Sequence, residues 1–181
     1  MVDQREMDKE RTVLRVSIDG GSLKVLGNIF HVDEDPEILF TKYEQPGQLL
    51  KRVNCIILLA YIEDLQESWH NLRIILELLS LNTVEYKLAS DLKLINILLG
   101  ISSHSGKYAC YLCYGESNLV AGPERTFKIL NEMYEAYHTA GSPVKKMSKY
   151  YNVIKPSLIT PADLSQSILS IILPSELHIH I

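Results

Sequence analysis

Hydrophobic and polar positions alternate near the start of the chain, as they do in half-buried β-strands. Residues 12–18 are rich in β-branched side chains and stop at the turn signal Asp19-Gly20-Gly21. Residues 22–32 resume the apolar pattern, so the two segments predict a hairpin that closes at the glycine turn. The nearly continuous apolar run at 53–61 predicts a third strand that is covered on both faces and central in its sheet.

A helical spacing of apolar residues follows the third strand. Residues 64–79 carry apolar side chains three and four positions apart, which predicts an amphipathic helix that begins near Glu63 or Asp64. The next segment, 83–89, is short and rich in residues that favour strands. The pattern therefore predicts strand, strand, strand, helix, strand.

A second helix is predicted directly after the fourth strand. Ser90 and Asp91 are suited to cap a helix over 92–99, and Gly100 is a natural end for it. A further helix is predicted at 124–138. The order of elements predicts an α/β fold with a mixed sheet.

Three regions follow from these elements. Residues 1–11 form a charged leader, 12–102 the α/β core, and 103–181 an insertion that is irregular at first and then mostly helical. The chain has 181 residues, of which 46% are hydrophobic and 22% charged, as expected for one globular domain.

The charge and the cysteine content limit the partners and the cellular compartment that the sequence suggests. The formal net charge of −4 gives no global reason to bind nucleic acid, although a local basic patch could still do so. No secretory signal and no apolar run of about 20 residues is present, so no membrane partner is expected. Three cysteines without a disulfide-like pattern favour a reducing compartment, nuclear or cytoplasmic.

Two aspartates stand at predicted strand ends. If strands one and four are neighbours, Asp19 and Asp91 lie close together, and paired carboxylates suit Mg²⁺ or Mn²⁺. Such ions support phosphodiester chemistry. The local alternative is that Asp19 serves a turn and Asp91 a helix cap.

The cysteine pair is the strongest chemical signal. Cys110 and Cys113 are spaced so that both sulfurs can face one tetrahedral zinc ion, and His178 and His180 are the candidates to complete it. A redox dithiol and a pair of ordinary buried cysteines are the alternatives.

Taken together, the strand order, the Asp19-Gly20-Gly21 turn, Asp91 after the fourth strand and the later Cys-x-x-Cys pair resemble the RNase H-like core of DDE transposases. The likeness is to transposase-derived proteins of the zinc-insertion type and, more distantly, to Transib transposases and the catalytic core of the V(D)J recombinase. In that group a zinc-binding insertion follows the second aspartate. Its cysteine pair is completed by histidines after a Leu-His motif, which here reads Leu177-His178.

The resemblance implies roles for individual residues. Asp19 and Asp91 would be the catalytic, metal-binding carboxylates, and Cys110, Cys113 and His178 would bind structural zinc, with His180 or a residue beyond the chain as the fourth ligand. The family also needs a third acidic residue after the histidines, and no position here matches it. The chain is thus expected to be C-terminally truncated and inactive, with DNA and a second copy of itself as candidate partners. The competing hypothesis is a non-enzymatic, zinc-stabilised module that binds protein or nucleic acid.

Overall fold

The computed structural model describes residues 12–20, 23–31, 56–102, 107–108, 110–115 and 122–173. The predicted leader and the pair His178 and His180 lie outside these residues. No helix in the described ranges is long and apolar enough to cross a bilayer.

Four strands form one mixed sheet. They are β1 (Thr12–Asp19), β2 (Leu23–His31), β3 (Ile56–Ile62) and β4 (Lys87–Ser90), in the spatial order β3-β2-β1-β4. β1 and β2 are antiparallel, which confirms the predicted hairpin, and β1 runs parallel to β4. The prediction that the first and fourth strands are neighbours is therefore confirmed, and the fold is α/β with a mixed sheet.

The expectation that β3 is central and covered on both faces was wrong. Within the described sheet β3 pairs with β2 alone and forms an edge. Leu58 is 58% exposed and Tyr61 48% exposed, so one face of the strand meets solvent. A continuous apolar run is compatible with more than one position in a sheet. Only an alternation of apolar and polar residues indicates which face of a strand is buried.

Three α-helices accompany the sheet: α1 (Trp69–Leu78), α2 (Leu92–Leu98) and α3 (Phe127–Thr139). α1 begins five residues later than the first predicted position, because Ser68 caps it by accepting a hydrogen bond from the Asn71 amide, 3.3 Å away. Asp64 instead has a left-handed backbone, φ 52°, which helix interiors exclude. Short 3-10 helices lie at Leu81–Thr83, Val144–Tyr150 and Ile168–Ser170.

One face of the sheet packs on α1 and α2 to form the core. The sheet contributes the fully buried side chains Val16, Ile18, Leu23, Val25 and Leu88. The two helices contribute Leu72, Ile75, Leu76, Leu94, Ile95 and Leu98. These apolar residues recur at two-residue spacing on the strands and three- or four-residue spacing on the helices, which explains why the sequence predicted both element types.

The chain leaves this core after α2 and later returns to it. Gly100, with φ 73°, ends the helix in the left-handed conformation, as predicted. After α3 and the 3-10 helix at 144–150, Ile172 forms a parallel bridge beside Leu88. The Leu88 amide donates to the Ile171 carbonyl and the Leu173 amide to the Leu88 carbonyl, both at 2.8 Å. The segment 171–173 therefore extends the sheet next to β4.

Candidate functional site

Asp19 and Asp91 occupy matching positions at one end of the sheet. Ile18 pairs with Ser90 in the parallel register of β1 and β4, and the residue that follows each of them in the chain is one of the two aspartates. Because both strands run in the same direction, their carboxyl ends meet at one edge. The two aspartates thus leave the sheet side by side, and both side chains are exposed.

Asp91 also has a structural task. Its Oδ1 accepts a hydrogen bond from the Leu94 amide at 2.8 Å, which caps α2. Its other oxygen lies over the turn after Asp19, since a methyl group added to Gly20 would stand 3.6 Å from Asp91 Oδ2. The capping alternative is therefore correct for Asp91, and it leaves Oδ2 directed towards the end of β1.

A third carboxylate approaches this edge, and the sequence did not single it out. The same added methyl group on Gly20 would overlap the carboxylate of Glu67, which precedes α1. Glu67 is ion-paired with Lys93 at 2.5 Å, and hydrogen bonding to this carboxylate raises the pKa of Lys93. The acidic edge is defined here as Asp19, Asp91 and Glu67, and Lys93 provides counter-charge to it among the described residues.

The donor chemistry of the acidic edge suits a hard divalent cation. Carboxylate oxygens are the ligands that Mg²⁺ and Mn²⁺ prefer, and one or two such groups are commonly enough when water supplies the rest. In the described ranges, however, no three His, Cys, Asp or Glu side chains converge closely enough to hold a metal ion. The aspartates would hold the ion and Glu67 stays with Lys93.

Cys110 and Cys113 stand on a short backbone ladder in the segment after α2. Cys113 forms an antiparallel bridge with Glu124, and the Tyr114 amide donates to the Pro123 carbonyl at 2.9 Å. Both cysteines are half-buried and neither forms a disulfide. The two thiols are close enough for each to shift the pKa of the other, so their sulfurs lie near one another.

The two thiols differ in acidity. Burial opposes ionisation of Cys113, but hydrogen bonds from the backbone at Gly115 and Gly122, a hydrogen bond from the Cys110 thiol and the nearby charge of Arg125 together lower its pKa. Burial and then the hydrogen bond shared with Cys113 raise the pKa of Cys110. Cys113 is thus the group that ionises first and the better starting ligand for a soft metal.

Arg125 is the buried cation of this region. Its side chain is fully buried, and its Nε donates to the Cys113 carbonyl at 3.0 Å. Its Nη2 donates to the carbonyls of Tyr108 and Tyr151 at 3.2 and 3.3 Å, and its guanidinium stacks 4.5 Å from the ring of Tyr114. Burial lowers the pKa of Arg125.

These contacts leave the positive charge of Arg125 without a described carboxylate partner. Its Nη1 has no hydrogen-bond partner among the described residues. A buried cation of this kind gains most from a nearby anion, and Cys113 would supply one when its thiol is ionised. Sequence reasoning did not find Arg125, because its partners are brought together from Tyr108, Cys113 and Tyr151 only by folding.

The structure thus brings together the two pairs predicted from sequence, Asp19 with Asp91 and Cys110 with Cys113. The completion of a zinc site by His178 and His180 stays a prediction, because both lie outside the described residues.

Comparison with known families adds one finding. Residues 46–123 match the model of a family described as a domain of unknown function, DUF8703. The matched stretch includes β3, α1, Asp91 and the cysteine pair, whereas Asp19 lies outside it. No curated protein matches the chain. Over its central part the chain is therefore similar to the DUF8703 domain.

Proposed function

We propose that this chain is an RNase H-like domain of the DNA strand cleavage and transfer class, in which Asp19 and Asp91 bind Mg²⁺ or Mn²⁺. The observation that carries the proposal is the register of β1 and β4, which sets the two aspartates at one sheet edge. The parallel pairing of β1 and β4 supports it, because the predicted site requires the first and fourth strands to be neighbours.

The chemistry follows from the position of the pair. A divalent ion held by two carboxylates neutralises charge on a phosphodiester and orients the attacking oxygen. Asp91 is held in place by its cap on α2, so it is positioned before any ion arrives. Turnover in this class needs a third acidic residue, which the resemblance places after the histidine motif. A DNA partner and a nuclear or cytoplasmic location belong to the same proposal.

Metal binding is the first test. Titration of the full chain with Mn²⁺, followed by the electron paramagnetic resonance of the free ion, should show a site that Asp19→Asn and Asp91→Asn each weaken at least tenfold. Asp163→Asn is the matched control, since Asp163 is an exposed carboxylate hydrogen-bonded by Ser165. Equal Mn²⁺ affinity in the wild type and both variants would refute the proposal.

Activity is the second test. This test uses a chain that carries the third acidic residue. Incubation of that chain with DNA and Mn²⁺ should cleave the DNA, and Asp19→Asn and Asp91→Asn should each abolish the cleavage. Mn²⁺ binding without cleavage would support a metal-binding domain that no longer turns over.

A second candidate function rests on the cysteine pair. We propose that Cys110 and Cys113 bind structural zinc and that the segment around them is a zinc-stabilised binding module. The closeness of the two thiols and the buried charge of Arg125, which favours a thiolate at Cys113, support this proposal. Elemental analysis should find about one zinc per chain, lost with stability in Cys110→Ser and Cys113→Ser. Absence of zinc in the wild type would leave the redox and core alternatives.

A further inference from the structure

A groove along α1 contains an aromatic ring that has two cations close to it. The groove lies between α1 and the segment 156–160 and has a volume of about 260 Å³. Trp69, the first residue of α1, forms one wall and donates from Nε1 to the Pro156 carbonyl at 2.9 Å. This hydrogen bond fixes the indole against the opposite wall of the groove.

Two cations stand over the Trp69 ring. The Arg73 Cζ atom lies 5.5 Å from the ring centroid and the Lys155 Nζ atom 5.8 Å from it. Arg73 is paired with Glu77 at 3.6 Å, but both side chains are about half exposed, so this pair is weak and Arg73 can turn to another anion. The groove therefore offers an aromatic surface with positive charge at its rim.

The wall that carries Lys155 belongs to a basic stretch of an acidic chain. Residues 136–162 contain four lysines and no aspartate or glutamate, although the whole chain has a net charge of −4. The lysines are Lys145, Lys146, Lys149 and Lys155. A local concentration of positive charge attracts a polyanion even when the average charge repels it.

The chain connects the groove to the acidic edge, since Glu67, which belongs to that edge, is two residues before Trp69. A ligand that reached both features would carry phosphates for a metal ion at the edge and a planar ring for the indole. The volume is at the small end of ligand pockets, which suits a single ring system better than a folded peptide.

We propose that the groove binds one base of a single-stranded nucleic acid against Trp69, with Arg73 and Lys155 turning from the ring to the adjoining phosphates and so leaving a face of the indole for the base. The choice of nucleic acid as the anion rests on the proposed function. Stacking on an aromatic ring accepts any base, so this contact provides affinity and position without reading sequence. It would deliver a strand to the acidic edge.

Tryptophan fluorescence tests the proposal directly, because Trp69 is the only tryptophan in the chain. The full chain is titrated with a short oligothymidylate in the presence of a chelator, so that no metal takes part. Saturable quenching is expected. Arg73→Gln and Lys155→Gln should each raise the Kd about tenfold. Lys128→Gln, which removes an exposed lysine outside both the groove and the basic stretch, should change it less than about twofold.

A labelled oligonucleotide, followed by anisotropy, tests the ring itself. Trp69→Phe keeps an aromatic surface and should retain most of the affinity, whereas Trp69→Leu should lose about tenfold or more. Three results would overturn the proposal: no quenching, quenching that neither cation variant affects, or equal quenching by a polyglutamate peptide. The last would show that the groove responds to charge alone.

The outcome is separable from that of the metal site. Quenching in a wild-type chain that fails to bind Mn²⁺ would support the groove and refute the proposed function. Mn²⁺ binding without quenching would support the proposed metal site and refute the groove proposal.

Discussion

The Ser90 hydroxyl donates a hydrogen bond to the Ile18 carbonyl, 2.7 Å away, across the parallel strands β1 and β4. Each partner immediately precedes one of the aspartates. The bond therefore helps to fix the register of the two strand ends, at the point where Asp19 and Asp91 follow. The spacing of the proposed metal ligands depends on this contact as well as on the backbone ladder.

Ser90→Ala should loosen that spacing. The variant is expected to lose about 1 kcal/mol of unfolding free energy, because the Ile18 carbonyl loses a partner, and to bind Mn²⁺ severalfold more weakly. Urea unfolding and Mn²⁺ titration measure the two effects. Ser170→Ala removes a comparable half-buried hydroxyl, which donates to the Ser167 carbonyl at 2.6 Å, and should leave Mn²⁺ affinity unchanged. Unaltered Mn²⁺ affinity in Ser90→Ala would argue against a positioning role.

Substitutions at Asp91 should separate its cap from its metal-binding role. Asn retains a side-chain oxygen for the Leu94 amide, whereas Ala does not. Asp91→Asn should therefore fold almost as stably as the wild type, and Asp91→Ala should lose about 1 kcal/mol. Both should lose Mn²⁺ binding.

Thr126→Ala is the matched control for capping. Thr126 caps α3 by accepting from the Ile129 amide at 3.3 Å, far along the chain from the acidic edge. It should lose similar stability and keep Mn²⁺ affinity. If Asp91→Asn bound Mn²⁺ as well as the wild type, Asp91 would be a cap and nothing more.

The two thiols should react at different pH in metal-free protein. The pKa of Cys113 is lowered, so its thiolate fraction rises at lower pH than that of Cys110, whose pKa is raised. Near neutral pH, iodoacetamide should modify Cys113 first, and the difference should shrink as the pH rises through the ordinary thiol range. Peptide mass spectrometry in a Cys55→Ser background measures both rates. Equal rates at all pH values would contradict the assignment.

Two glycines with left-handed backbones should respond differently to alanine. Gly100 has φ 73° and a Cβ there would overlap the Lys155 carbonyl, whereas Gly141 has φ 77° and open space around it. Gly141→Ala should cost about 1 kcal/mol, from the backbone conformation alone. Gly100→Ala should cost about 3 kcal/mol, because the 155–160 segment must also move. Thermal unfolding of the two variants provides the comparison. Equal losses of unfolding free energy would show that the overlap with the Lys155 carbonyl is relieved without cost.

The elements that the sequence predicted well are those set by local pattern. The hairpin of β1 and β2, the cap at Asp91 and the end of α2 at Gly100 depend on residues close together in the chain. The edge position of β3 could not be predicted, because the same apolar run fits a buried or a half-covered strand.

Sites formed by distant residues were found only in part. Asp19 and Asp91 could be paired from sequence because a parallel neighbour relation brings strand ends together. Glu67 and Arg125 gave no such signal, since Glu67 lies in an irregular stretch before α1 and the partners of Arg125 come from three separate segments. Residues from separate segments meet only through tertiary packing, and no repeating pattern in the sequence marks them.

The bridge between Leu88 and Ile172 has a consequence for synthesis on the ribosome. The outer edge of β4 acquires its partner only when a segment more than eighty residues later has been translated. Until then the nascent chain presents an open strand edge next to an apolar core, which is the kind of surface that associates with other chains. Completion of the sheet is therefore a late event, and chaperone binding during translation should be strongest in the interval between these two residues.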